Sequence, residues 1–273
     1  MVTIASFIFL FVSPTNQTSP YTTNTAGESA AVVGLFVLQA TVEGLVKPTL
    51  SADFSRCRVT DSGYCDPRDL LSFDRAAVNN HSQAWEKVSD LGQIVGVSLP
   101  LIASAIDFLP TSQGFGAFVS DSLVIYEAVA AASILTMFLK LTIQRPRPYQ
   151  YRLGAQPGSI EKELSFPSGH TSSVAAALTA YTTTYFLHYP GSPSRFVVAG
   201  GALITTSLTA YGRVGAGKHF YSDVFAGALL GGVIGYVVPV LHLEDNKSVQ
   251  AHFFINSEFG SHNTHGLALT LHF

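Results

Sequence analysis

The chain has 273 residues, 47% of them hydrophobic and only 12% charged, with a mean hydropathy of +0.31 and a formal net charge of −3. The length suits one domain with an appendage, and the charged share is about half that of an ordinary soluble domain. With no basic arm, zinc spacing or RNA-binding signature, this slightly acidic balance argues against nucleic acid as a partner.

The chain opens on an apolar run, Ile4 to Val12. It is of signal-peptide length, lacks a positive n-region and is too short to span a bilayer, so residues 1–28 read as an export signal or partial anchor followed by a Thr/Ser/Asn/Pro-rich linker. Residues 29–90 read as an N-terminal helical and loop region. Ser29 to Lys47 is an apolar helix, and Cys57 and Cys65 sit in a stretch rich in turn residues. Those two are either unrelated thiols or a small disulfide loop, and the loop would place the segment outside the cytoplasm. The polar stretch from Asp66 to Asp90 reads as helical turns outside the bundle, with Asp74, Arg75, Glu86 and Lys87 exposed.

From Leu91 the texture changes, and residues 91–245 read as the bundle proper. Leu91–Leu109 carries Pro100; a Pro110–Gly116 turn leads to the helix-forming Ala117–Thr142; His170–Tyr189 is rich in Ala and Thr. A turn at Pro190–Pro193 precedes the apolar Phe196–Tyr211. Asp223–Leu243 then carries Gly227, Gly231 and Gly235 at four-residue spacing, which permits close helix contact. No strand alternation occurs in this core. The expected fold is an all-α, up-and-down bundle of five or six helices, embedded in a membrane. In the tail, residues 246–273, Leu267, Leu269, Leu271 and Phe273 alternate with smaller or polar residues and Phe253–Ile255 is β-prone, which predicts a short terminal hairpin. His252, His262, His265 and His272 lack acidic or thiol partners at ligand spacing, so they read as solvated or packing residues.

The residues that carry chemistry lie at helix ends. Lys140 and Arg147 follow the Ala117–Thr142 helix, and Ser168, Gly169 and His170 open the next. Arg213 follows the Phe196–Tyr211 helix, and His219 and Asp223 open the one after. Each alone has an ordinary reading: a dipole lysine, a solvated arginine, a helix cap, a structural His–Asp pair. In an up-and-down bundle, however, all of them gather at one end, with the Pro190–Ser194 turn at the other. Two histidines, an aspartate and three cations suit a phosphoester. Its transition state spreads charge over equatorial oxygens and calls mainly for positioning and preorganised positive charge. Ser168 is a good N-cap, Gly169 lets backbone approach a ligand, and a helix N-terminus favours an anion.

Lys140…Arg147-Pro148, Pro167-Ser168-Gly169-His170 and Arg213…His219…Asp223 resemble, in order and spacing, the three-part signature of the type-2 phosphatidic acid phosphatase superfamily, which includes bacterial acid phosphatases and vanadium haloperoxidases. The likeness covers about residues 115–243. One departure is visible: Gly212 stands where the third motif usually has serine. The resemblance implies that His219 attacks phosphorus with Asp223 orienting it, and that His170 protonates the leaving oxygen. Lys140, Arg147, Arg213 and the Ser168/Gly169 turn would hold the phosphate. It implies no metal and no cofactor, although phosphate or vanadate would fit the site.

The expected function is a metal-independent phosphohydrolase acting through a phosphohistidine on a membrane lipid phosphate or pyrophosphate. Asp121 and Glu127 interrupt the Ala117–Lys140 stretch, which keeps a soluble exported acid phosphatase, acting on a small phosphoester, as an alternative. A vanadate-dependent haloperoxidase and a catalytically dead lipid-binding protein are more distant ones. Counting helices back places Cys57 and Cys65 at the catalytic end, so a disulfide there would put the site in an oxidising compartment. The corresponding location is a bacterial-type inner membrane with the site facing the periplasm, or the periplasm itself. Seven of the 15 Lys/Arg fall in 140–162 and 213–218, against the positive-inside tendency, and catalysis requires several of them. No sequence feature specifies an oligomeric state.

Overall fold

The computed structural model describes residues 18–52, 56–108, 114–152 and 158–243. Among them are six α-helices: α1 (Thr25–Thr41), α2 (Gln83–Phe108), α3 (Gly114–Ile143), α4 (Gly169–His188), α5 (Ser194–Gly215) and α6 (Tyr221–Leu241). They run alternately up and down. The C-terminal ends of α1, α3 and α5 and the N-terminal ends of α2, α4 and α6 therefore share one end of the bundle. The Ile4–Val12 run and the terminal hairpin expected in the tail lie outside the described residues. The only strands among the described residues are two-residue pieces, β1 (Ser51–Ala52) and β2 (Gly158–Ser159), paired antiparallel outside the helical core.

The centre of the bundle is α4, which packs on α2, α3, α5 and α6. Small side chains make this close packing practicable. Ala175, Ala176, Ala177 and Ala180 are buried, and Thr182, Thr183 and Thr184 return their hydroxyls to carbonyls one turn back, so they add no unpaired donor. The glycine stripe of α6 faces α4, as its spacing predicts. A Cβ at Gly227 would stand 2.6 Å from Ser168 O, and one at Gly235 would stand 2.5 Å from Ala176 O. Backbones therefore meet where side chains elsewhere hold helices apart.

The outer surface is apolar. Phe138, Leu203, Phe225, Leu229 and Val233 are exposed, and four helical segments (Thr25–Thr49, Gln83–Phe108, Gly114–Tyr151 and Tyr221–Leu241) are long and apolar enough to cross a membrane. The two acids of α3 do not interrupt that surface, because both face inward. Asp121 is fully buried and pairs with His188 Nε2 at 2.7 Å while accepting from Ser19 Oγ at 2.6 Å. Glu127 Oε2 lies 3.2 Å from His242 Nε2. The bundle is apolar outside, and the two acids of α3 are turned inside.

Three boundaries differ from the sequence expectation, each for a local reason. Helix α1 starts at Thr25, inside the supposed linker, because Asn24 caps it: its side chain accepts from Gly27 N, and its own N–H donates to Glu28 Oε1 at 2.9 Å. Helix α2 starts at Gln83 and not Leu91, with Ser82 Oγ accepting from Trp85 N at 3.4 Å. In residues 83–90, Ser89 is buried and Asp90 turns to Arg213, while Gln83, Ala84, Lys87 and Val88 stay exposed. Helix α1 packs on α3 and ends at Thr41, not Lys47; a wider turn at Val42–Val46 leads on to Pro48. Asp74, expected at the surface, is fully buried.

Candidate active site

The site is built by the three connections at the shared end. Helix α3 stops at Gln144, whose φ of 50° turns the chain into the left-handed region and whose N–H returns to Lys140 O. The turn sends Arg145 inward. Its guanidinium lies 4.2 Å from the Phe220 ring centroid and donates to Asp223 Oδ1 (2.5 Å), Ser222 Oγ (2.6 Å) and Asp74 Oδ2 (2.9 Å). Asp74 also accepts from Ser222 N and Ser222 Oγ. This buried network clamps the start of α6 to the turn after α3.

His219 sits in the α5–α6 connection, almost wholly buried, and its Nδ1 donates to the Ser165 carbonyl at 2.7 Å. That bond fixes the tautomer and leaves Nε2 as the basic nitrogen. Asp223 is not the direct partner that the four-residue spacing implies: its Oδ2 is 3.6 Å from His219 Nδ1. Asp223 accepts instead from Ser165 Oγ at 2.6 Å and from Phe220 N at 2.8 Å. It orients His219 by fixing the two residues on either side of the ring, Ser165 and Phe220. Burial, together with the charges of Lys140, Arg147 and Arg213, pushes the His219 pKa well below its ordinary value, against the opposing bond to Ser165. The ring is neutral at physiological pH.

His170, in the first turn of α4, is set differently. Its Nε2 pairs with Asp90 Oδ1 at 3.0 Å, and the same oxygen accepts from Arg213 Nη1 at 3.2 Å. Lys140, Arg147, Gly169, His170, Arg213 and His219 line one cavity of about 300 Å³ that continues outward to Glu43, Lys47 and Glu161. Arg213 is buried, yet its Nε has no partner within the protein. A buried guanidinium N–H left open on a cavity wall is a donor waiting for an anion. Lys140 Nζ donates to Leu164 O at 2.6 Å, and the cation lies beside Gly169, where a Cβ would stand 3.8 Å from Lys140 Cε.

Ser168 caps α4, as its sequence position predicts. It is fully buried and does not line the cavity. Its hydroxyl is used in the α4 cap with Thr171, and its N–H donates to Asp223 O. Ser165, Arg145, Asp74 and Asp90 join the site although the motifs do not point to them. Arg145 and Asp90 carry a signal in the sequence, since both are charges at the edge of an apolar run. Ser165 acts through its carbonyl and through the hydroxyl held by Asp223, and a lone serine carries no such signal.

The departure at Gly212 has a steric cause. A Cβ there would stand 2.9 Å from both Ser89 Cβ and Trp85 O. Glycine lets α2 close on α5, and that approach delivers Asp90 and Ser89 to Arg213, whose Nη1 reaches Ser89 Oγ at 3.4 Å. Cys57 and Cys65 are joined as a disulfide with a Cα–Cα distance of 5.5 Å. Cys65 is buried in a cluster with Leu70, Tyr151, Val214 and Phe220, so the loop lies at the end that holds His219.

A model of the PAP2 superfamily matches residues 122–247. A PA-phosphatase related-family protein of Dictyostelium discoideum is 26% identical over 154 residues, which is 53% of this chain and 56% of that protein. The chain thus spans about half the length of that relative. A crystal structure of a transmembrane PAP2 type phosphatidylglycerolphosphate phosphatase from Bacillus subtilis overlays 81% of this chain and 98% of its own, at 20% identity and a TM-score of 0.48.

Proposed function

We propose that the chain, whose residues 122–247 match a model of the PAP2 superfamily, is a metal-independent phosphohydrolase acting through a phosphohistidine on a membrane lipid phosphate or pyrophosphate. The observation that carries this reading is the convergence of Lys140, Arg147, Arg213, His170 and His219 on one cavity, with His219 Nδ1 tied to a carbonyl and Nε2 left basic.

In the proposed cycle, Lys140, Arg147 and Arg213 hold the non-bridging oxygens and offset the charge that develops on them. His219 Nε2 attacks phosphorus as the bond to the leaving oxygen breaks, and His170 donates a proton to that oxygen. Asp90 holds the His170 ring and favours its protonated form, against burial and the Arg213 charge, which together lower its pKa to about 4. Water then enters, His170 takes its proton, and the hydroxide displaces His219 from phosphorus to give inorganic phosphate. Burial of His219 among cations keeps it unprotonated and ready to attack.

The lipid part rests on the apolar coat of the bundle, which would bring the cavity to the membrane surface. The disulfide at the catalytic end supports an active site facing an oxidising compartment, the periplasm in a bacterial host. Phosphate release from a panel of lipid and soluble phosphates, with EDTA throughout, tests the function. We expect release by the native chain and none by His219→Ala, with an acid-labile phosphoryl label trapped on the native protein alone. Loss of release on EDTA addition, or full activity in His219→Ala, would sink the reading. Impermeant labelling of Cys57 after reduction in intact cells tests the orientation, and protection from outside counts against it.

A further inference from the structure

Arg147 is expected to grip phosphate with its two-pronged edge, yet its donors point elsewhere in this structure. Nε donates to Glu161 O at 2.7 Å, Nη2 to Glu161 Oε2 at 3.0 Å and Nη1 to Lys218 O at 3.3 Å. The second carboxylate oxygen of Glu161 pairs with Lys47, a buried lysine just after α1 that also pairs with Glu43 on its own turn. Lys47, Glu43 and Glu161 all lie on the wall of the cavity that holds His219. The Glu161 carboxylate thus occupies Arg147 Nη2, a donor that a phosphate would want, and it has a second cation to stay with if it lets go.

We propose that Glu161 is a built-in competitor for the phosphate site: its carboxylate holds Arg147 until phosphate arrives, then parks on Lys47. The inference rests on the phosphate-binding role proposed for Arg147. Two features fit a carboxylate that moves and not a fixed strut. Its side chain is 46% exposed, so the ion pair is screened and cheap to exchange. Its backbone carbonyl keeps Arg147 Nε throughout, so the guanidinium stays aimed while the other edge is released. Burial alone would raise the Glu161 pKa, but the hydrogen bond from Lys47 and the charges of Arg147, Lys47 and Lys140 outweigh it, so the group stays ionised and competes at every working pH. The functional consequence is weaker product binding. A cage of three cations retains inorganic phosphate strongly, and an internal anion that reclaims Arg147 helps to expel it.

The two partners of this contact should behave oppositely. Glu161→Gln removes the competitor, so inorganic phosphate should bind about three- to fivefold more tightly, the range expected for a half-exposed pair. Lys47→Met removes the parking place and leaves Glu161 on Arg147, so phosphate should bind weaker by a similar factor, and Lys47→Arg should restore it. Calorimetric titration of inorganic phosphate into the full chain in nanodiscs reads all four proteins without turnover. A merely structural bridge moves both substitutions in one direction. Unchanged or weaker binding by Glu161→Gln, tighter binding by Lys47→Met, or no phosphate binding by any of the four overturns the inference. Failure of the native chain to hydrolyse any phosphoester, by contrast, overturns the proposed function and leaves the binding comparison to be decided on its own.

Discussion

The two ends of the bundle both bury charge, and they bury it differently. At the end away from the cavity, most of the buried charges meet partners within the protein, although Ser122 Oγ and Arg195 Nε make no hydrogen bond. Asp121 has His188 and Ser19, Glu127 has His242, and Tyr21 shares its hydroxyl with Thr184. At the catalytic end, three cations and two histidines face one cavity, and the buried Nε of Arg213 has no partner in the protein. Buried ionisable residues in a membrane bundle are therefore not by themselves a sign of catalysis. Asp121 and Asp223 are equally buried and equally improbable in composition. What separates them is whether the positive charge nearby is matched.

A matched pair of substitutions tests that distinction and carries the largest expected effects. Asp223→Asn keeps the shape but takes the charge from Arg145, Ser165 Oγ and Phe220 N, and so loosens the carbonyl that holds His219. Turnover should fall by at least about 10³-fold, in line with loss of the carboxylate behind other catalytic histidines, while the thermal midpoint moves less. Asp121→Asn should do the reverse. Breaking a buried pair costs about 3–5 kcal/mol, so melting should drop sharply while kcat of the folded fraction stays native. Equal loss of turnover in both variants would abolish the contrast between the ends.

Asp90→Asn is expected to have a smaller effect, because Asp90 is half-exposed and acts through His170 and Arg213. Turnover of an alkyl phosphate should fall by about 10- to 100-fold, below the roughly 10²- to 10⁴-fold that a positioned acid itself contributes. An aryl phosphate with a good leaving group needs little protonation and should lose much less. A residue that only holds α2 in place would depress both substrates alike. Asp90 also marks the limit of what the sequence discloses. The motif residues were legible because the alternation of helix ends forces them together, and the α6 glycine stripe was legible because four-residue spacing defines a face. Asp90 reaches the site by a helix–helix approach that Gly212 permits, 122 positions away. Helix starts at Asn24 and Ser82 were hidden for a different reason, since caps look like linker. Ser165 holds His219 through a carbonyl that every residue possesses, and the hydroxyl by which Asp223 fixes it is one among many serines in the chain.

The smallest effect sharpens the comparison by its sign. His242 follows the last residue of α6, outside the span. The hydrogen bond to Glu127 raises its pKa to about 9 against the opposing effect of burial, helped by Val238 O and by the charges of Glu127 and Glu28. A group raised above its unfolded value of about 6.5 stabilises fully below that pH, and its contribution is lost as pH rises through about 9. His219 at the other end is shifted downward, so the stability linked to it is present above about 6.5 and lost as pH falls. The opposite end should therefore weaken on the alkaline side and the catalytic end on the acid side. Glu127→Gln should remove part of the decline in melting temperature between about pH 6.5 and 9, a difference of about 2 °C for a partly buried pair in a chain of this size, and leave the acid side as it was. An unchanged alkaline slope in Glu127→Gln would mean that His242 is not held in its charged form by Glu127, and that the far end is matched by hydrogen bonds and not by charge.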